Sequence, residues 1–215
     1  MEKRRLVLLA VACVLQLAVL AGVCSSALRT RRDALRAGRI ITLECAAYDP
    51  YHPFKGRYVR LSFPAGTVEA DSLDVATGAA FAEDEAGSAG NVLYCCMECG
   101  ADGLWRVTGL RRDAFAQPVP GEGGAVCVRA QARYWPGELQ GQVLLRFPFD
   151  EYYLQENYAR YVDTLRADEF NGLRPRLSLY VDRKGRCVQQ GLSVESDGQR
   201  IPIETYCRRA LASGL

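Results

Sequence analysis

Three sets of residues in this chain could do chemistry. The densest is Cys95-Cys96-x-x-Cys99, a spacing that delivers thiolates to zinc when the pair wraps around a turn. These thiols fall on a stretch that reads as a strand, so Cys95 and Cys99 share a face and Cys96 points away. The turn begins only at Gly100, no second Cys-x-x-Cys follows, and His52 is the only histidine. Small, mostly buried strand residues are the better reading, and neither a metal nor another cofactor is expected. Disulfides stay open: of nine cysteines, Cys13 and Cys24 lie in the amino-terminal apolar run. The odd number left leaves at least one thiol free, and Cys45, Cys127, Cys187 and Cys207 are too scattered to pair by spacing.

The second set is nucleophilic. Ser25 or Ser62 could meet Lys55 or Lys184, but none sits in a recognisable motif, and His52 has no flanking Ser or Cys nucleophile motif. The third is a carboxylate pair, Asp49 and Glu156, which could serve hydrolysis if the fold brought them together. Asp49 precedes Pro50, however, and Asp-Pro commonly caps a turn. Around both lies an aromatic group: Tyr48, Tyr51, Phe54 and Tyr58, with Phe147, Phe149, Tyr152 and Tyr153. Either these rings are core, with tyrosine hydroxyls bonding loop backbone, or they line a pocket or docking face rimmed by Asp49, Arg57 and Glu156.

The elements that must position these residues follow an apolar front end. Lys3-Arg4-Arg5 precedes an apolar run from Leu6 to Val23, interrupted only by Gln16. As a helix it spans roughly 27 Å, and continued to Leu28 it covers a hydrocarbon core of about 30 Å. Ser25-Ser26-Ala27 offers small residues to a signal peptidase, and Cys24 could end a lipoprotein signal were Val23 not bulky. The length of the run favours a retained anchor. Residues 29–38 continue it as an Arg-rich helical stalk that Gly38 can end. Cations flank both ends of the run. The plan of a signal-anchor protein puts the domain outside the cytoplasm, whereas the count of cations near the ends argues the reverse.

Beyond the stalk, residues 39–47 read as a first strand, Asp49-Pro50 and His52-Pro53 as a kinked connection, and residues 56–63 as a strictly alternating strand. Residues 66–90 are small and acidic, a surface excursion with a short helix near 73–82. Strands are expected at 92–99, 104–110, 125–135, 139–147, 176–181 and 186–194. Gly100-Ala-Asp-Gly103 and Asp182-Arg-Lys-Gly185 make two of the turns. Residues 156–170 place Tyr158, Tyr161, Val162 and Leu165 on one helical stripe, ended by Asn171-Gly172. The sum is an α+β chain: a transmembrane helix, then a mostly antiparallel β-rich domain with one packed helix. Its parts are a basic flank (1–5), the span (6–28), the stalk (29–38), the domain (39–204) and a tail (205–215).

Three segments stand out in order: Ala47-Tyr-Asp49-Pro50-Tyr-His-Pro53-Phe-Lys-Gly56-Arg57-Tyr58-Val-Arg-Leu61-Ser-Phe63, then Tyr152-Tyr153-Leu154-Gln155-Glu156-Asn157, then Lys184-Gly185-Arg186 leading to Gly191-Leu192. Together they resemble the GDYXXLXY family of bacterial membrane-anchored proteins. Arg57 stands at the family's acidic position, Phe63 at its last tyrosine and Asn157 at a glycine. The resemblance implies an anchored domain whose motif and candidate binding residues are Asp49, Pro50, Gly56, Arg57, Tyr58, Leu61, Phe63, Tyr152, Tyr153 and Glu156. It brings no activity with it.

With a net charge of +2, much of its basic charge before residue 40, the chain lacks the concentrated basic face that nucleic acid requires. The expected function is a non-catalytic binding or accessory module. It would be held in the membrane by one span, with a multi-spanning membrane protein as its natural partner. The competing expectation is an anchored hydrolase working around Asp49 and Glu156.

Overall fold

A computed structural model of the chain describes residues 2–37, 39–47, 58–69, 92–111, 124–134, 142–165 and 167–213. The Pro-rich connection at 48–57, with Asp49, Pro50, Gly56 and Arg57, lies outside these residues, as does the helix expected at 73–82.

The chain opens with one continuous helix, α1 (Glu2–Ala37). Its stretch Ala10–Arg36 is long and apolar enough to cross a membrane, and Val11, Leu15, Leu20 and Val23 are exposed along it. The expected first strand follows, broken at Cys45 into β1 (Arg39–Glu44) and β2 (Ala46–Ala47). Next come β3 (Tyr58–Ser62), a 3-10 turn (Pro64–Gly66) and β4 (Thr67–Glu69), then β5 (Val92–Cys99) and β6 (Trp105–Arg111). β7 (Val126–Tyr134), β8 (Gln142–Arg146) and β9 (Glu151–Tyr153) lead into helices α2 (Glu156–Thr164) and α3 (Ala167–Gly172). The chain closes with β10 (Arg176–Val181), β11 (Cys187–Ser196), β12 (Gln199–Pro202) and helix α4 (Ile203–Ala212).

These strands make three antiparallel sheets, ordered β1-β10-β11-β12, β2-β3-β9 and β4-β8-β7-β5-β6. Alternation decides which faces meet: Ile41 and Leu43 of β1 and Leu177, Leu179 and Val181 of β10 are fully buried, while the residues between them are partly exposed. Three short crossings pass the chain between sheets: β1 to β2 at Cys45, β3 to β4 at the 3-10 turn, and β8 to β9 through residues 147–150. Two of these crossings meet on Phe63, Phe147 and Phe149. Phe147 and Phe149 stack with centroids 5.1 Å apart, and Phe63 stands edge-on to them at 5.6 and 5.3 Å. Burying each ring contributes about 2–3 kcal/mol, so the crossings are held by packing where ladder hydrogen bonds stop.

Among the described residues, three helices pack on the sheets where one was expected. The stripe at 156–170 is broken, because Leu165 leaves the helix with φ −75° and ψ 136° while its N–H caps Val162 O. The Thr164 hydroxyl donates to Tyr161 O at 2.6 Å, competing with the backbone and closing the turn. Leu165 still packs on the core, but from an extended backbone. The left-handed residue that ends α3 is Arg174 (φ 46°), not Asn171 or Gly172. N–H groups of Leu173 and Arg174 carry the turn two residues further, and Pro175 bars Arg174 from the right-handed helical region. Residues 203–212, within the expected last segment and tail, form α4. They do so by burying Ile203, Cys207 and Ala210 at i, i+4 and i+7.

The β10–β11 turn is a three-residue loop, Arg183-Lys184-Gly185, with Gly185 at φ 71°. An added Cβ there would sit 2.8 Å from Cys127 O, whereas at Gly198 (φ 70°) it would meet nothing within 4 Å. Gly185→Ala should therefore cost roughly 3 kcal/mol and Gly198→Ala about 1 kcal/mol, the left-handed backbone being common to both. Denaturant titration of the detergent-solubilised protein checks this, and equal losses would mean that the turn does not press on β7.

Candidate functional site

Asp182 is the one buried charged side chain among the described residues, 3% exposed. It starts the β10–β11 turn, and its carboxylate takes three hydrogen bonds there. Oδ1 accepts the N–H groups of Lys184 at 2.8 Å and Arg186 at 2.9 Å, and Oδ2 accepts Arg186 Nε at 2.6 Å. A buried charge is tolerable only with such compensation. The pairing also aims the guanidinium outward: Nη1 donates to Thr30 Oγ1 at 3.1 Å and Nη2 to Asp33 Oδ2 at 3.4 Å. Both acceptors belong to the stalk end of α1, where Ala34 is fully buried. On the turn's other side, Gly185 O accepts Arg129 N of β7 at 2.9 Å. One turn thus fastens the stalk to two sheets.

Beside it lies a cleft of about 620 Å³, lined by Arg129, Gln131, Arg146, Asp150, Glu151 and Arg186, with Phe147 and Pro148 in its wall. Arg146 Nε pairs with Asp150 Oδ2 at 3.2 Å. Arg129 is half-buried as a residue, and its guanidinium has no partner among the described residues. Arg186 is matched by Asp182 and Asp33 and Arg146 by Asp150, which leaves the Arg129 guanidinium as the donor fork available to an anionic or hydrogen-bond-accepting group.

The residues picked out by sequence border this cleft on the β3–β9 side. Tyr58 pairs with Tyr153, Val59 with Tyr152 and Arg60 with Glu151, and Leu61 N donates to Asp150 O at 2.7 Å. The aromatic group divides. Phe147, Phe149 and Phe63 are core, and Leu61 is buried beside them. The Tyr152 hydroxyl donates to Glu204 Oε1 on α4 at 2.8 Å, and burial first, then that carboxylate, pushes its phenol up to about 12. Tyr153 faces outward, 60% exposed, its ring 5.8 Å from that of Tyr58. Glu156 sits exposed on the first turn of α2, 2.6 Å from Arg160 Nη2. Whether Asp49 meets it falls outside the described residues.

Several residues at this junction went unmarked in the sequence. Gln189 donates its amide to Phe149 O at 3.2 Å and Glu151 O at 2.9 Å, clamping the β8–β9 crossing to β11. Asp182 was visible only as a turn residue, and Arg129 and Arg146 only as members of expected strands. Among the described residues no group of three or more His, Cys, Asp or Glu could hold a metal ion. Cys95 and Cys96 are buried on β5, and Cys99 is exposed at its end.

A model of the GDYXXLXY protein family matches residues 16–192. The chain belongs to the GDYXXLXY family. No curated protein matches it, and no solved structure does. In this GDYXXLXY protein the three motif segments meet: Tyr58 and Leu61 bind the strand carrying Tyr152 and Tyr153. The segment from Lys184 to Leu192 supplies Arg186 to the stalk and Gln189 to the same crossing.

Arg186→Lys keeps the charge but cannot serve Asp182, Thr30 and Asp33 together. It should cost about 1–3 kcal/mol and speed tryptic cleavage between Arg29 and Arg36 of the solubilised protein. An unchanged cleavage rate would show that Arg186 does not hold the stalk.

Proposed function

We propose that this protein is a non-catalytic binding or accessory module, anchored by one retained span (6–28) and acting on a multi-spanning membrane protein. The observation that carries the reading is the Arg186 link from the domain to Thr30 and Asp33 of the stalk. Thr30 lies two residues past Leu28, roughly 3 Å along a helix axis. A domain fastened so close to the end of the apolar run meets neighbours at bilayer height with one fixed face. That suits association within the membrane better than capture of soluble substrates. The face includes the Arg129-lined cleft and exposed Tyr153, whose hydroxyl donates to Glu151 of the cleft wall at 2.9 Å; Tyr and Arg are among the residue types that dominate interfaces.

Retention of the span is supported by α1 running helical through Ser25-Ser26-Ala27. There, Arg29 Nε and Thr30 Oγ1 donate to the carbonyls of Ser25 and Ser26. An extracytoplasmic domain agrees with the signal-anchor plan. The hydrolase reading, built on Asp49 and Glu156, has Glu156 exposed and paired with Arg160, which is a poor setting for a general acid.

The test is affinity purification of the full chain from membranes in mild detergent. A multi-spanning protein should co-purify with the wild type. Tyr153→Ala and Arg129→Glu should each lower its recovery roughly tenfold at an unchanged unfolding midpoint. Loss of recovery only in variants that also unfold would refute the binding face, and turnover abolished by Glu156→Gln in a folded protein would establish the hydrolase. Protease protection of the domain in sealed vesicles reports its side of the membrane.

A further inference from the structure

On the five-stranded sheet, Cys96 of β5 stands directly opposite Cys127 of β7, and their Sγ atoms are 2.8 Å apart. Directly opposed residues of an antiparallel pair have Cα atoms about 4.5–5.5 Å apart, inside the range of about 4.4–6.8 Å that a disulfide bridges without moving backbone. Strand alternation separates this pair from its neighbours. Cys95 and Met97 face the core with Val126 and Val128, so Cys96 and Cys127 lie on the sheet's other face. Cys95 therefore cannot compete for Cys127, and Cys99 is three residues further along β5. Both strands are held in this register on either side of the pair, from Val92 opposite Gln131 to Met97 opposite Val126.

We propose that Cys96 and Cys127 are a dithiol–disulfide site, closed into a cross-strand bond by exchange with the disulfide of an oxidised thiol oxidoreductase. The Cys96 thiolate attacks one sulfur of that disulfide, forming a mixed disulfide and releasing the first thiolate of the oxidant. The Cys127 thiolate then attacks Cys96 Sγ and expels the second. The oxidant's two thiolates take up the two protons that the cysteines lose, so two thiols are oxidised and one disulfide is reduced. Cys96 is suited to begin. The hydrogen bond from the Cys127 thiol favours its thiolate and brings it down to about 7, while Cys127 is pushed up by the same contact. Burial pushes Cys95 and Cys187 up and Cys45 up to about 12, leaving them poor nucleophiles.

The bond would close β5 to β7 beside the point where the Gly185 turn rests on Cys127 O. It would thereby brace the seat of the stalk-binding turn.

The test begins with the full-length protein, alkylated in acid-quenched cells, digested without reductant and read by mass spectrometry. A Cys96–Cys127 cross-linked peptide is expected, with the remaining cysteines alkylated under denaturant. In the second arm, reduced protein in detergent is treated with an oxidised dithiol oxidoreductase. Two titratable thiols should disappear from the wild type and none from a Cys96→Ala/Cys127→Ala variant of unchanged unfolding midpoint. A pair found reduced in cells that closes in the second arm upholds the site and counts against the extracytoplasmic reading alone. Failure to close in both arms, or closure onto Cys95 or Cys99, overturns the proposal.

Discussion

The buried carboxylate of Asp182 is the constraint on which the arrangement of the molecule depends. Taking a carboxylate out of water carries an effective penalty of several kcal/mol, and attraction to one cation seldom offsets it in full. Here two backbone N–H groups share the work with Arg186 Nε. Those donors exist only while residues 182–186 keep their three-residue turn. Such a pair is weak as a source of stability, because an apolar replacement of the same shape can do as well. What it supplies is orientation. With Nε committed to Asp182, the two remaining nitrogens can point only one way, and the stalk residues Thr30 and Asp33 meet them there.

The cleft inherits its shape from that turn. One wall is Arg186 and Cys187 of the turn and β11, another is Arg129 to Gln131 of β7, and the third is the crossing from Arg146 to Glu151. Each wall is tied to the next by a specific bond: Gly185 O to Arg129 N on one side, Gln189 to the carbonyls of Phe149 and Glu151 on the other. The Phe63–Phe147–Phe149 cluster backs the crossing, where no ladder could do so. Movement of the turn would alter both the mouth of the cleft and the seat of α1, so helix and cleft are mechanically one feature.

Local signals made the hairpins legible. Gly100-Ala-Asp-Gly103 and Asp182-Arg-Lys-Gly185 state their turns in four residues, and β5–β6 and β10–β11 follow within one or two positions. Short elements were not legible. β4 and β9 are three residues each and owe their existence to partners 77 and 95 positions away, Thr67 to Leu144 and Tyr58 to Tyr153. The small stripe of α4 (Ile203, Cys207, Ala210) reads as a tail until the sheet it covers is known. The candidate site was half legible. Tyr58, Leu61, Phe63, Tyr152 and Tyr153 do converge, but the bonds that organise the junction join residues up to 156 positions apart. An arginine such as Arg186 carries no mark in sequence of where its far end goes.

The stalk's link to the domain also bears on how a bilayer would act on it. An exposed ion pair in bulk water contributes little, about 0–1 kcal/mol, since solvent and salt screen it. With α1 in a membrane, Asp33 and Thr30 lie within a turn or so of the last apolar residue, where water is thinner and the same pair is less screened. The Arg186 fork would then hold more firmly in the membrane than in detergent or water. Rotation of the domain about α1 would have to break it and expose Ala34, which is fully covered. The domain therefore cannot sample orientations as a tethered body does. The orientation of the cleft relative to α1 is thus set by folding, before anything binds there.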